Sequence, residues 1–177
     1  MQDPLNAFDW ASLYRRYDES CRRFDSQSPH LARFGSDRPA TDRSLYYRLI
    51  DCYSPAIRQQ DPDPVGLYEA VLYWKLYSQG TTAYHLAQMT AGTELRASAA
   101  ASLPRLLARL PAHLDQNVDI IVRTVQALDE YGLPRMKGRC AIPVRSTFLH
   151  FLYPSRIPVF DRMVLQAVGV DRKGANK

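Results

Sequence analysis

The stretch from Asp63 to Gly80, DPVGLYEAVLYWKLYSQG, decides the fold class. An aspartate followed by a proline is typical of a helix start, because the carboxylate caps free amides and proline fits the first helical position. From Val65 to Gln79, apolar side chains occupy nearly every side of the predicted helix. Such a helix has to be buried among other elements. We therefore predict a central helix that ends at Gly80.

Helical spacing continues on both sides of this segment, and no convincing strand alternation occurs. The next helix towards the N-terminus is predicted to begin at a cap formed by Thr41 or Asp42. Further helices are predicted near residues 10–24, 83–89, 114–128, 146–152 and 161–168, and one more starting at 93–94. This pattern predicts an all-α protein, a compact helical bundle formed by one domain over residues 1–177, either as one body or as two lobes with a cleft near Asp161.

Three segments are predicted to interrupt the helices. Residues 25–40 are polar and contain proline, which is typical of a loop. Pro104 is expected to mark a break or a new first turn. Residues 133–144 hold two prolines, one glycine and three basic residues, a composition typical of a loop or a hairpin, and Tyr131-Gly132 is expected to close the helix before it.

The composition excludes several classes of protein. The 177 residues are 46% hydrophobic and 23% charged, unlike a disordered, collagen-like or coiled-coil chain. The chain contains no run of 18 apolar residues, so no membrane span is predicted. Its first residues lack the pattern of a signal peptide. The three cysteines are far apart, and no Cys or His spacing predicts a metal site. We expect reduced thiols, a cytoplasmic location, and no metal or other cofactor.

The charge is concentrated near the C-terminus. Residues 132–177 contain nine basic and two acidic residues, whereas the rest of the chain contains 14 basic and 16 acidic residues. A basic segment on a nearly neutral body favours a polyanion as the partner. A solvated surface with no partner remains the alternative.

The segment from Val144 to Val164 follows a particular order: a helix, a Tyr-Pro turn, and Pro158-Val159-Phe160-Asp161 at the head of the next helix. With the basic stretch from Leu133 to Arg139 before it, this order resembles the C-terminal part of the helix-hairpin-helix DNA glycosylases, over about 35 residues. The resemblance implies an all-α bundle with a helix-hairpin-helix-like element and double-stranded DNA as the partner. It implies hydrolysis of the N-glycosidic bond of a damaged or modified base flipped out of the helix.

The resemblance assigns the catalytic carboxylate to Asp161. An aspartate at a helix N-cap accepts amide hydrogen bonds at the positive end of the dipole, so it stays ionised and can offset an oxocarbenium charge. The alternative is a purely structural cap. Some members of the family use a lysine nucleophile beside the position of Thr147, where this chain has Ser146. Because the lysine nucleophile is replaced by serine, the resemblance implies a monofunctional enzyme.

Two further groups of candidate residues belong to this hypothesis. Contacts to the DNA strand are expected from the hairpin and its flanks: Arg135, Lys137, Gly138, Arg139, Arg145 and Arg162. For Arg145 and Arg162 the alternative is pairing with Asp161. An extruded base needs aromatic walls and polar edges, for which the candidates are Glu69, Tyr73, Trp74, Tyr77 and His150. The alternatives are core packing for the aromatic residues, a hydrogen-bonded core position for His150, and an exposed helix end for Glu69.

Two other functions stay open at this stage. One is a DNA-binding relative in which Asp161 only caps a helix. The other is a helical protein–protein interaction module, such as an immunity or adaptor factor, whose basic tail meets an acidic partner. In each case we expect a monomer that does not associate with membranes.

Overall fold

The computed structural model describes residues 9, 11–12, 15–16, 23, 28–59, 63–77, 93–115, 117–133, 136 and 141–160. Within these ranges the chain forms α-helices and short 3₁₀ helices and no β-strand, so the predicted all-α fold is confirmed. We number the α-helices in chain order: α1 Asp42–Gln59, α2 Pro64–Tyr77, α3 Thr93–Arg109, α4 Val118–Ala127 and α5 Ile142–Leu152. The 3₁₀ helices are Pro29–Phe34 and Leu128–Tyr131.

Helix α2 is the central helix, as its sequence predicts. Asp63 caps it by accepting the Gly66 amide at 2.9 Å on its carboxylate. The helix packs against α1, α3, α5 and the 3₁₀ helix Pro29–Phe34. Its apolar side chains are buried on several sides, because each side faces another helix. The predicted end at Gly80 lies outside the described residues.

Helix α1 begins at the predicted threonine cap. The Ser44 amide donates to Thr41 Oγ1 at 3.1 Å, and the Thr41 amide donates to Ser44 Oγ at 3.0 Å. This reciprocal arrangement satisfies two backbone donors at the helix start. One turn of α1 is also fixed to α2, because the indole Nε1 of Trp74 donates to the Asp42 carbonyl at 3.0 Å. The candidate site described below lies beside this junction.

Helix α5 is the second deeply buried element. It begins at Ile142, about one turn earlier than predicted, because Pro143 fits the first turn of a helix. The helix packs against α1, α2 and α4. Phe148 is 0% exposed, and its ring meets those of Tyr53 and Tyr68 edge-on at 5.6 Å in both cases.

The predicted break at Pro104 is wrong, since α3 continues through it from Thr93 to Arg109. Pro104 and Ala100 are both exposed, whereas Leu103 and Leu106 are each 1% exposed. The Ala100 carbonyl has no amide donor within the helix, because proline at position 104 has no N–H. This carbonyl lies on the solvent side of the helix, where water can replace the lost bond. Burial of the leucines on the opposite side favours continuation of the helix.

Two predicted boundaries also change. The expected loop at 25–40 contains the 3₁₀ helix Pro29–Phe34, which forms because Leu31 is 0% exposed and packs into the core. The predicted helix at 114–128 is shorter, since α4 starts at Val118 and is followed by the 3₁₀ helix Leu128–Tyr131. The expected stop at Gly132 is confirmed, with a φ of 62° that favours glycine.

Several predicted features fall on residues that the structure does not describe. The helices at 83–89 and 161–168 lie outside the described residues, as does most of the helix at 10–24. The single-domain organisation stays a prediction. In the described part of the chain, no helix is long and apolar enough to cross a bilayer.

Candidate functional site

Four rings from three helices meet in what we call the aromatic cluster: Tyr46 of α1, Trp74 of α2, and His150 and Phe151 of α5. The Tyr46 ring lies 5.8 Å from that of Trp74, 5.7 Å from that of His150 and 5.5 Å from that of Phe151, measured between centroids. Phe151 is 0% exposed, whereas the other three rings are partly exposed. The cluster thus offers solvent an aromatic surface with polar edges, above a buried floor.

His150 is hydrogen-bonded at both ring nitrogens. Its Nδ1 lies 2.6 Å from the Ile157 carbonyl oxygen, and its Nε2 lies 2.7 Å from the Tyr46 hydroxyl. A carbonyl only accepts, so Nδ1 carries the hydrogen; in the neutral ring, Nε2 then accepts from the tyrosine. The prediction of a hydrogen-bonded histidine is confirmed, although the side chain is only partly buried.

Burial keeps this pair of side chains uncharged. It lowers the pKa of His150, and the bond to the Ile157 carbonyl opposes that effect only in part. Burial also raises the pKa of Tyr46, with a further contribution from Tyr47 beside it. The aromatic cluster therefore offers neutral polar groups near pH 7.

Replacing His150 with glutamine is expected to flatten the dependence of stability on pH. The folded pKa of His150 lies below its ordinary 6.5. As the pH falls below that value, the unfolded chain takes up the proton first, so the free energy of unfolding falls. His150→Gln does not titrate and should lose less stability than the wild type between about pH 7.5 and about pH 5.5, measured by urea unfolding.

The control for this prediction is His113→Gln, since His113 is exposed. It should keep the wild-type slope. Comparing slopes also removes the constant cost of altered hydrogen bonds at position 150. Equal slopes in the wild type and His150→Gln would contradict the prediction.

Side chains of α5 also bind the backbone of residues 157–160, a segment that follows the helix in the chain. Ile157 is bound by His150, as described above, and Phe160 is bound by Ser146. The Phe160 amide donates to Ser146 Oγ at 3.0 Å, and Ser146 is 1% exposed. Two side chains about one turn apart on α5 thus fix both ends of the segment. Phe160 is the residue that precedes Asp161 in the sequence.

Arg145 faces the interior and not the solvent. It is 5% exposed, its Nε donates to the Met136 carbonyl at 2.6 Å, and a terminal nitrogen donates to Asp129 Oδ1 at 2.6 Å. Met136 is 0% exposed and lies in the sequence between Arg135 and Lys137. In this arrangement Arg145 anchors the middle of the basic stretch, and a contact with DNA would require it to leave these partners.

The predicted pocket residues on α2 separate onto different sides of the helix. Trp74 joins the aromatic cluster, whereas Tyr73 is 3% exposed and stacks on His30 with 5.4 Å between the ring centroids. Glu69, one turn before Tyr73, is 8% exposed and so is not at an exposed helix end. Adjacent helical residues point about 100° apart, which explains why Tyr73 and Trp74 diverge. The side chain of Tyr77 lies outside the described residues.

The structure therefore brings together two of the predicted pocket residues, Trp74 and His150, and adds Tyr46. The sequence contains no local signal for this addition, because Tyr46 and His150 are 104 positions apart. The remaining predicted site residues lie outside the described residues: Arg135, Lys137, Gly138, Arg139, Asp161 and Arg162. Among the residues that are described, no group of three or more His, Cys, Asp and Glu side chains is placed to hold a metal ion.

The chemistry of the aromatic cluster suits a flat ligand. Partly exposed tyrosine, tryptophan and histidine rings provide faces for stacking. The Tyr46 oxygen can still accept a hydrogen bond, whereas both His150 nitrogens and the Trp74 indole N–H are bonded within the protein. Comparison with protein-family models, curated proteins and solved structures found no match to this chain.

Proposed function

We propose that this protein is a monofunctional DNA glycosylase that receives a damaged or modified base at the aromatic cluster. One observation carries the proposal. His150 bonds at Nε2 to Tyr46, within the cluster, and at Nδ1 to Ile157, in the segment that leads to Asp161. One side chain thus fixes the candidate surface for the base and the chain leading to the candidate carboxylate.

In the proposed reaction, the flipped base stacks on one of two partly exposed rings, Tyr46 or Trp74, whose planes are inclined by 43° to each other. The N-glycosidic bond breaks, its electron pair leaves with the base, and the sugar gains oxocarbenium character. The ionised carboxylate of Asp161 offsets that charge and orients a water molecule. The water oxygen bonds to the sugar carbon, and the proton it loses passes to the departing base. No lysine stands beside Thr147, so no covalent imine with the DNA forms.

The direct test of this proposal is base release. The wild type is incubated with duplexes that each carry one damaged or modified base, and abasic sites are counted as alkali-labile strand breaks. The proposal requires at least one duplex to yield such sites in proportion to the amount of enzyme. Tight, salt-dependent binding without any release across the series would instead support a non-catalytic DNA-binding protein.

Changing Arg135, Lys137 and Arg139 together to alanine should weaken duplex binding. The logarithm of the binding constant should also depend less steeply on the logarithm of the salt concentration. The expected change in slope is about two to three units, since each lost phosphate contact removes about 0.9. The measurement is fluorescence anisotropy of a labelled duplex over a series of salt concentrations.

The matched control also removes three positive charges, from exposed arginines of α3 and α4: Arg105, Arg109 and Arg123. It should change the slope by less than the first variant does. If both triple variants bind alike, the basic stretch from 135 to 139 has no special contact with DNA and that assignment fails.

A protein-interaction module is the second candidate, favoured by one observation. Helix α4 leaves apolar side chains in solvent, with Val118 70% and Val122 46% exposed. Exposed apolar residues along one helix are typical of contact surfaces, although single ones are common. Absence of salt-dependent duplex binding by the wild type would favour this second function over the first.

A further inference from the structure

We infer that a groove beside the aromatic cluster binds an unpaired nucleotide next to the flipped base; this rests on the proposed function. The groove has a volume of about 540 Å³, within the usual range for ligand sites. We call it the flanking groove, and its walls include Asp37, Arg38, Thr41, Tyr47, Arg48 and Asp51. It lies along the first turns of α1, the helix that also carries Tyr46.

The flanking groove and the aromatic cluster adjoin each other through one ring contact on α1. Tyr47 lines the groove, and its ring meets that of Tyr46 edge-on with 5.4 Å between the centroids. Tyr46 is in turn stacked on His150. The two ring planes are inclined by 79°, so a base at the cluster and a base at Tyr47 would be close together but not parallel, which requires the strand to turn sharply between two neighbouring nucleotides.

Tyr47 is the group that recognises a base in this inference. Its side chain is 56% exposed, so more than half of the ring surface is open to a ligand. Nucleic acid-binding surfaces use such exposed rings as stacking platforms, because every base has a flat face. Stacking of this kind tolerates different bases, so the groove need not select a sequence.

Two arginines provide phosphate contacts. Arg38 lines the groove, and its Nε donates to the Gly35 carbonyl at 3.0 Å, which holds the side chain at the rim. Arg48 pairs with Asp37, and the two side chains are 46% and 76% exposed. An ion pair so exposed contributes little, so Arg48 can exchange its carboxylate for a phosphate at small cost.

The charge balance of the groove favours an unpaired nucleotide over a duplex backbone. Asp37 and Asp51 offset the charges of Arg38 and Arg48 within the lining. A surface that tracks duplex phosphates needs a clear positive excess. Here affinity has to come from stacking on Tyr47, and a base is free to stack only where the strands are open.

The experiment uses a duplex with a stable abasic-site analogue and 2-aminopurine as the neighbouring base. Wild-type protein should raise the 2-aminopurine fluorescence on binding, because stacking in the duplex quenches this base and binding at Tyr47 removes it from that stack. Tyr47→Ala should bind this duplex about tenfold more weakly and show no such rise, whereas Tyr47→Phe keeps the ring and should stay within about twofold. Val122→Ala, which shortens an exposed apolar side chain on α4, is the matched control and should behave as wild type.

The outcomes separate this inference from the function on which it rests. If the wild type releases bases but Tyr47→Ala binds and raises the fluorescence as wild type does, the inference is wrong and the proposed function stands. If the wild type neither binds duplexes nor releases bases, the proposed function fails, and titration with a single-stranded oligothymidylate decides about the groove. Binding that depends on Tyr47 would then support a nucleotide site, and no binding would overturn it.

Discussion

Asp161→Asn is expected to lower the rate of base release at least about a hundredfold, the effect of losing one preorganised electrostatic group. Asparagine caps a helix nearly as well as aspartate, so the free energy of unfolding should stay within roughly 1 kcal/mol. DNA binding should persist or become tighter, because a negative charge near the phosphates is lost. The measurement is single-turnover base release, beside a melting curve and a binding titration for each variant.

Asp115→Asn provides the control for this substitution, because it makes the same change at an exposed aspartate. It should release bases at the wild-type rate. Equal rates for the wild type and Asp161→Asn would remove the catalytic assignment. A large loss of melting temperature in Asp161→Asn would show instead that the carboxylate is structural. Borohydride should trap no covalent complex with any variant, since the chain has Ser146 beside Thr147, where the resemblance to the glycosylases would place a lysine.

Phe148→Ala is expected to be the most destabilising of the substitutions considered, with a loss of about 3–5 kcal/mol in the free energy of unfolding. The Phe148 ring is 0% exposed and meets Tyr53 of α1 and Tyr68 of α2. Truncation therefore leaves a cavity where three helices meet, and rigid rings around it limit how far the site can collapse. Urea unfolding followed by circular dichroism measures the loss.

Ile142→Ala is the control on the same helix. Ile142 is 43% exposed, so its truncation should change the free energy of unfolding by about 0.5 kcal/mol or less. If Phe148→Ala costs no more than Ile142→Ala, then α5 is not packed between α1 and α2 as described.

Local sequence signals were sufficient where a few neighbouring residues decide the outcome. Asp63 before Pro64 predicted the start of α2, and its side chain accepts the Gly66 amide as a cap should. Thr41 likewise caps α1, and Gly132 adopts the left-handed conformation that closes the helical segment before it. Each of these outcomes depends on the chemistry of residues within about one turn, which is why pattern alone was enough.

Pro104 shows where a local rule fails. Proline removes one helical hydrogen bond, and by itself that favours a break. Burial of Leu103 and Leu106 on the core side of α3 outweighs this loss, since the freed carbonyl lies on the exposed side. The balance between the two effects depends on which side of the helix faces the core, and only packing determines that.

In the candidate site, too, some features were predictable from the local sequence and others depend on packing. His150 was predicted as hydrogen-bonded, and it is, but its partner Tyr46 lies 104 positions away and has no signature in the sequence. Ser146 bonds locally to the Pro143 carbonyl, as serines in helices do, and it also accepts the Phe160 amide from 14 positions later, which no local pattern predicts. Arg145 appears in the sequence as part of a basic stretch, whereas burial turns it towards Met136 and Asp129.

By itself, the sequence determined the all-α class, the central position of α2, the aspartate cap of α2 and, between the two candidates Thr41 and Asp42, the place where α1 begins. These follow from apolar spacing and from short-range hydrogen bonds, which are properties of consecutive residues. The tertiary structure alone decided which rings meet at the cluster, which side of α2 faces it, and which basic side chain turns inward. These depend on contacts between helices distant in the sequence, where burial and pairing override the preference of any single residue.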